Sequence, residues 1–84
     1  MPEVWTEGGF TFVIFLNDHE PAHVHVFSGR PRHGASTLRL LLREQLVVAD
    51  RIPSSWTDAQ VRRAMRIGTK QYDRLIEAWK EYHR

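Results

Sequence analysis

The strongest structural signal in this chain is the run FTFVIFL at residues 10–16. Six of its seven residues are β-branched or aromatic, Gly8 and Gly9 precede it, and the turn formers Asn17 and Asp18 follow it. This combination predicts a β-strand over residues 10–16. Apolar side chains alternate onto both sides of the run, so we expect a central strand that is covered on both faces.

Three further strands are predicted downstream of this run. Residues 23–27 (HVHVF) alternate polar and apolar side chains with the two-residue period of a strand. Residues 37–42 repeat the alternation, and residues 45–50 continue it more weakly. The segment 28–34 contains two glycines and a proline and is predicted to be a loop. We therefore expect an antiparallel sheet of three to four strands.

The C-terminal part of the chain carries a helical pattern. Apolar residues recur at spacings of three and four along one stripe, which consists of Val61, Met65, Gly68, Tyr72, Leu75, Trp79 and Tyr82. The pair Ser55 and Asp58 resembles a capping box and places the helix start near Trp56. We predict one long helix over residues 56–83, packed on one face of the sheet in a single α+β domain of residues 1–84. Gly68 indicates either a kink or close packing on the sheet.

Composition excludes several classes of protein. The 84 residues are 42% hydrophobic, and there is no cysteine, so a disulfide framework, a thiolate zinc site and a cysteine nucleophile are excluded. The longest apolar run, Phe12–Leu16, is far shorter than the roughly 20 residues that cross a bilayer. The start Met1-Pro2-Glu3 does not resemble a signal peptide. We expect a soluble cytoplasmic protein without membrane contact.

The charge is unevenly distributed along the chain. Residues 1–50 carry four arginines against six acids, whereas residues 51–84 carry eight basic residues against four acids. The predicted helix has a basic stripe on its outer face, formed by Arg62, Arg66 and Lys70. Such a stripe is a candidate surface for RNA, because arginine pairs well with phosphate. The alternative interpretation is an ordinary solvated helix face.

The candidate site lies in residues 17–26 (NDHEPAHVHV), which hold three of the five histidines. His23 and His25 are two residues apart on a predicted strand and therefore point to the same side. Two imidazoles on one face can supply a general base and a general acid, which is what cleavage of RNA through its own 2′-hydroxyl requires. His19 or Asp18 would orient the pair in this interpretation, and no cofactor would be needed.

Other residues and other interpretations remain open at this segment. Arg30 or Arg32, on the loop that leaves the same strand, could stabilise charge on a phosphate. A second interpretation is a divalent metal such as zinc, bound by His23 and His25 with His19 or Asp18 as third ligand. A third is a non-enzymatic interaction module whose histidines have no catalytic role.

A predicted interface follows from the number of sheet faces. One helix covers only one face of the sheet, which leaves the opposite face, with the histidines, to be covered otherwise. That face would also carry an apolar patch consisting of Val13, Phe15, Phe27 and Leu41. An exposed apolar patch on a small domain usually marks an interface. We therefore expect a homodimer or a small cognate protein partner on this face.

Two elements of the sequence carry a family resemblance: NDHEPAHVH at residues 17–25 and LIEAW at residues 75–79. The chain resembles the bacterial family called domain of unknown function 4160, although Ala22 stands where the family usually has a second proline. The resemblance implies a small α+β domain, often encoded beside another small domain and suspected to be a toxin–antitoxin component. It implies no established catalytic residue.

Overall fold

The sheet begins with a hairpin that the sequence patterns did not predict. In the computed structural model, which describes residues 3–83, β1 (Glu3–Glu7) pairs antiparallel with β2 (Phe10–Val13). Gly8 and Gly9 connect them with φ of 61° and 85°, which glycine adopts without steric cost and which suits a tight hairpin turn. β1 was missed because EVWTE is short and has charged ends, as is common for an edge strand.

Three more strands complete an antiparallel meander. They are β3 (His23–Ser28), β4 (Leu38–Arg43) and β5 (Leu46–Arg51), and the order in the sheet is β1-β2-β3-β4-β5. The sheet therefore has five strands, rather than the three to four predicted. Glu44 and Gln45 form the β4–β5 turn, both with positive φ.

The second strand is shorter than predicted. β2 ends at Val13, although the apolar run continues to Leu16. The chain turns after β2, where the backbone N–H of Asp18 donates to the carbonyl oxygen of Phe15 at 3.1 Å. The residues after Val13 thus form a turn that folds back over the sheet.

The prediction of one long helix is wrong, because the helical segment is divided at Gln71. α1 spans Asp58–Lys70 and α2 spans Tyr72–Tyr82, and Gln71 between them has φ −100° and ψ 18°. Helical hydrogen bonding still passes through the junction, since the N–H of Gln71 donates to the Ile67 carbonyl at 2.9 Å. The break lies three residues beyond Gly68, and α1 is continuous through that glycine.

The first helix also begins later than predicted. Thr57, not Ser55, is the N-cap: its Oγ1 accepts from the N–H of Gln60 at 3.1 Å, and Oε1 of Gln60 accepts from the N–H of Thr57 at 2.8 Å. This reciprocal pair is a capping box. Glutamine is as suitable as glutamate at the N3 position of a capping box. The segment TDAQ at residues 57–60 therefore predicts a helix start as well as Ser55 and Asp58 do.

The core lies between the helices and one face of the sheet. Its buried side chains include Phe10, Phe12, Ile14, Val24, Val26, Leu38 and Leu40, together with Val61, Ala64, Tyr72, Leu75 and Trp79 from the helices. Gly68 lies against the sheet, and a Cβ there would be 3.2 Å from Cγ1 of Val47. Close packing therefore explains this glycine. Neither helix combines the length and apolarity needed to span a membrane.

The opposite face carries the histidines, but the patch predicted to be exposed beside them is buried. Val13, Phe27 and Leu41 have exposed fractions of 0%, 5% and 7% within the single chain, and Phe15 is half-buried. Phe15 of the turn after β2 and residues 31–35 of the loop after β3 line one recess together with Phe27. Exposed apolar surface at these positions therefore no longer supports an interface, and the homodimer stays a prediction.

Candidate metal centre

Two alternate positions of β3 and one position of the turn after β2 bring three polar side chains together. His23 and His25 project from the same face of β3, with ring centroids 5.1 Å apart. Asp18 lies over that face, and its Oδ2 is 3.4 Å from Nε2 of His23 and 3.5 Å from Nε2 of His25. Each of the three residues offers one ligand atom, and these three atoms all lie within 4.8 Å of one another.

The turn that carries Asp18 is held by the same carboxylate that faces the histidines. Oδ2 of Asp18 accepts the backbone N–H of Phe15 at 3.1 Å, and this bond closes the turn. Aspartate commonly stabilises turns in this way, because its short side chain reaches nearby backbone N–H groups. The local chemistry of NDH thus directs Asp18 toward the sheet.

The far nitrogen of each imidazole has a partner. Nδ1 of His23 donates to the carbonyl oxygen of Pro21 at 2.8 Å, since that oxygen can only accept. Nδ1 of His25 lies 3.3 Å from Oγ1 of Thr37. Each ring is therefore oriented from behind, and a neutral His23 presents the lone pair of Nε2 to the space shared with Asp18. Bonding of the second ring nitrogen to an outer group is typical of metal-binding histidines.

His25 is the least satisfied member of the group. Its Nε2 is fully buried and has no hydrogen-bond partner. Burial lowers the pKa of His25 below the usual value of 6.5, although Asp18 opposes that shift. The ring is therefore neutral near pH 7, which is the form that binds metals.

Aromatic side chains enclose the two imidazoles. The ring of Phe15 meets His25 edge-on at 4.6 Å, and Trp79 of α2 lies 5.2 Å from His23. The polar group opens into a recess of about 260 Å³, whose wall includes Asn17, His19 and Arg39. Arg39 is held by Asp50, to which its Nε donates at 2.6 Å.

The structure places the four predicted residues Asp18, His19, His23 and His25 on one recess, but His19 is not part of the group that converges. His19 lies on the wall of the recess with an exposed ring, and among residues 3–83 the converging group consists of Asp18, His23 and His25. Asp18 therefore takes the position for which His19 was the other candidate. Thr37 and Trp79 were not predicted as site residues. They are distant in sequence and meet the histidines only through the β3–β4 pairing and the path of α2.

The predicted phosphate contacts lie in different places. Arg32 shares a recess with Phe15 and His25, whereas Arg30 lines another recess with Glu3, beside β1. The stripe of Arg62, Arg66 and Lys70 lies on α1, which packs on the sheet face opposite the histidines. Lys70 is also paired with Glu7. Contact of this stripe with RNA stays a prediction, and it would be a surface separate from the histidines.

A family model described as a domain of unknown function, DUF4160, matches residues 9–80. The chain belongs to this family. The match includes the whole candidate centre, all of α1 and most of α2. No curated protein and no solved structure matches this DUF4160 chain.

Proposed function

We propose that this DUF4160 domain binds a divalent transition-metal ion through Asp18, His23 and His25. The observation that carries the proposal is the convergence of one carboxylate oxygen and two imidazole nitrogens, of which Nε2 of His25 is fully buried without a partner. Two histidines and one carboxylate are a recurrent donor set for zinc and for non-haem iron.

The separations between the donor atoms support this proposal. Two atoms that each lie about 2.1 Å from a tetrahedral ion are about 3.4 Å from each other. The distances from Asp18 Oδ2 to the two Nε2 atoms are 3.4 and 3.5 Å. A good charge-assisted hydrogen bond would be shorter, at about 2.7–2.9 Å.

Electrostatics also favour a cation at this position. In the neutral form of His23 whose Nδ1 donates to Pro21, the lone pair of Nε2 faces the Asp18 carboxylate without an intervening proton. A cation among the three atoms would convert this repulsion into three bonds. Three protein ligands would also leave a coordination position toward the recess, and a bound zinc ion makes water there acidic enough to act as a nucleophile near neutral pH.

Zinc titration calorimetry of metal-free protein tests the proposal. We expect one ion per chain, and at least about hundredfold weaker binding in Asp18→Asn and in His25→Ala, because each removes a ligand. His33→Ala is the matched control, since it removes an exposed histidine outside the centre. Iron(II) titrated without oxygen would separate the two metals.

Two results would overturn the proposal. One is binding of less than one equivalent of either metal to the wild-type chain. The other is loss of binding in His19→Ala with retention in Asp18→Asn, which would transfer the third ligand to His19.

A second candidate function is metal-independent RNA cleavage by His23 and His25. The observation that favours it is that both imidazoles lie in one recess with Asp18 between them. Cleavage that persists in chelator and follows a bell-shaped pH profile would support this function and not the metal centre. The toxin–antitoxin role, the cytoplasmic location and a protein partner also stay predictions, and sedimentation of the purified chain tests the homodimer.

A further inference from the structure

A larger recess lies on the other side of His25 from Asp18. Its volume is about 500 Å³, within the roughly 300–1,000 Å³ typical of small-ligand sites. Phe15, Phe27 and Pro31 form its apolar walls, while Arg32 and Thr37 supply polar groups. His25 connects it to the candidate metal centre, because the Nδ1 edge of the ring faces Thr37 and the Nε2 edge faces Asp18.

The arginine of this recess has no anionic partner among the residues that the structure describes. Arg39 pairs with Asp50 and Lys70 pairs with Glu7, whereas no carboxylate of residues 3–83 lies within ion-pair distance of Arg32. Arg32 is exposed. Its planar guanidinium is therefore free to bind an oxyanion from solution, and its geometry suits phosphate.

The apolar walls of this recess indicate which group a ligand carries besides its anion. Phe15 and Pro31 are partly exposed beside the recess, while the buried Phe27 also lines it, and apolar surfaces of this kind accept planar heterocycles. A ligand that satisfies both the walls and Arg32 combines a planar ring with a phosphate.

We propose that this recess binds a nucleotide, with the base among Phe15, Phe27 and Pro31 and the phosphate at Arg32. The inference rests on the proposed metal centre only for the role of the ligand as its substrate, because neither stacking nor the Arg32 contact needs the ion. The bound nucleotide is either free or part of an RNA strand, and the same chemistry serves both.

A neighbouring recess provides a way to separate these two sources. It has a volume of about 470 Å³ and lies across the segment Arg32–Ala35, which lines both recesses. Its other lining groups include Ser28, Ser55 and Gln60, which can hydrogen-bond a sugar or a phosphate. An RNA strand would occupy both recesses, whereas a free mononucleotide would occupy only the apolar one.

Nuclear magnetic resonance titration of metal-free protein with uridine 5′-monophosphate tests the proposal. We expect saturable shifts at Phe15, Phe27 and Ala35, and at least about tenfold weaker binding of uridine and of ribose 5-phosphate, since each lacks one half of the ligand. Arg32→Gln should weaken nucleotide binding by roughly five- to tenfold, because a charge-assisted contact is lost. The exposed Arg43→Gln, at the far end of β4, is the matched control and should change binding less than twofold.

A uridine pentanucleotide identifies the source. Binding about tenfold tighter than the mononucleotide, with added shifts at Ser28 and Ser55, assigns the site to an RNA strand, and equal affinity assigns it to a free nucleotide. The proposal is overturned if no saturable shifts occur in the apolar recess, if ribose 5-phosphate binds as tightly as the nucleotide, or if Arg32→Gln and Arg43→Gln behave alike.

Failure of this proposal is distinguishable from failure of the metal centre. Asp18→Asn should lose zinc and keep nucleotide binding in the metal-free state. Nucleotide binding without any zinc binding by the wild-type chain would remove the metal centre and keep the recess. Zinc binding without nucleotide binding would keep the metal centre and remove the nucleotide site.

Discussion

At the scale of single residues, His25 combines burial with an unsatisfied ring nitrogen. A buried polar atom without a partner costs about 1–3 kcal/mol of folding free energy. Nε2 of His25 is such an atom, because Oδ2 of Asp18 lies 3.5 Å away, beyond the length of a good hydrogen bond. A bound cation would relieve this cost, so the residue is better suited to binding than to stabilising the metal-free fold.

This balance predicts opposite effects of His25→Leu on two forms of the protein. The metal-free variant should be as stable as the wild type or more stable, because an apolar side chain replaces the unsatisfied nitrogen. The stabilisation by zinc should disappear. For the wild type at a free zinc concentration about 100 times the Kd, that stabilisation is about 2.7 kcal/mol, or a rise in Tm of roughly 10–20 °C. Calorimetric melting with and without zinc measures both effects.

His33→Ala is the control, since this exposed histidine should change neither form by more than about 0.5 kcal/mol. If metal-free His25→Leu lost several kcal/mol, the imidazole would instead be a structural side chain of the β3–β4 pair.

At the scale of elements, the contact of α1 with β5 depends on Gly68. A Cβ at this position would lie 3.2 Å from Cγ1 and 3.4 Å from Cγ2 of Val47, and 3.4 Å from Cδ1 of Leu40. Two opposing effects therefore meet here: alanine is favoured over glycine in a helix by about 1 kcal/mol, and the close approach disfavours any added atom. Val47 is β-branched, and its stiff side chain cannot easily move away.

This geometry predicts that the effect of Gly68→Ala changes sign with residue 47. In the wild type we expect a net loss of stability of about 0.5–1.5 kcal/mol, because crowding exceeds the gain in helix propensity. In the Val47→Ala background both methyl groups of Val47 are absent and only the Leu40 contact at 3.4 Å remains, so the same substitution should add about 0.5–1 kcal/mol. Urea unfolding of the four proteins gives the coupling energy. Additive effects would show that crowding by Val47 is not why glycine is needed.

At the scale of the whole molecule, Glu7 connects the first hairpin to the helices. Its carboxylate pairs with Lys70 of α1. It also accepts hydrogen bonds from Nε1 of Trp5 at 2.8 Å and from Nε2 of Gln71 at 3.3 Å. These hydrogen bonds, with that from Lys70 the largest contribution, lower the pKa of Glu7 below its usual value of 4.5. The ionised form of Glu7 is therefore more stable, relative to the protonated form, in the folded chain than in the unfolded one.

The lowered pKa of Glu7 predicts how stability depends on pH. The unfolded chain binds the proton more readily, so the contribution of Glu7 is complete above about pH 4.5 and is lost as the pH falls through the lower folded pKa. Glu7→Gln should therefore be less stable than the wild type at pH 7, and the difference should shrink below pH 4.5. Urea unfolding between pH 3 and pH 7 measures it, with the exposed Glu77→Gln as control. A difference that stays constant over this range would show that the charge of Glu7 does not contribute.

The sequence by itself determined the α+β class, the central strands, the core face and the segment that holds the candidate site. These features are readable because strand and helix periods, glycine turns and the grouping NDHEPAHVH are local. The faces follow from alternation, so Val24 and Val26 are in the core while His23 and His25 oppose it. The Gly8–Gly9 turn and the Thr57–Gln60 capping box are local signals too. The hairpin was missed because EVWTE is a weak strand pattern, and the helix start because Ser55 and Asp58 offered a competing capping box.

The tertiary structure alone decided which atoms meet. Alternation places two histidines on one face but does not say whether Asp18 or His19 faces them, because that depends on how the turn after β2 closes on Phe15. The partner of His25 at Thr37 requires the pairing of β3 with β4 across a 12-residue separation. Burial of Val13 and Phe27 depends on loops whose paths no residue period encodes. Each of these features is a balance of contacts between distant segments, which the order of residues along the chain does not express.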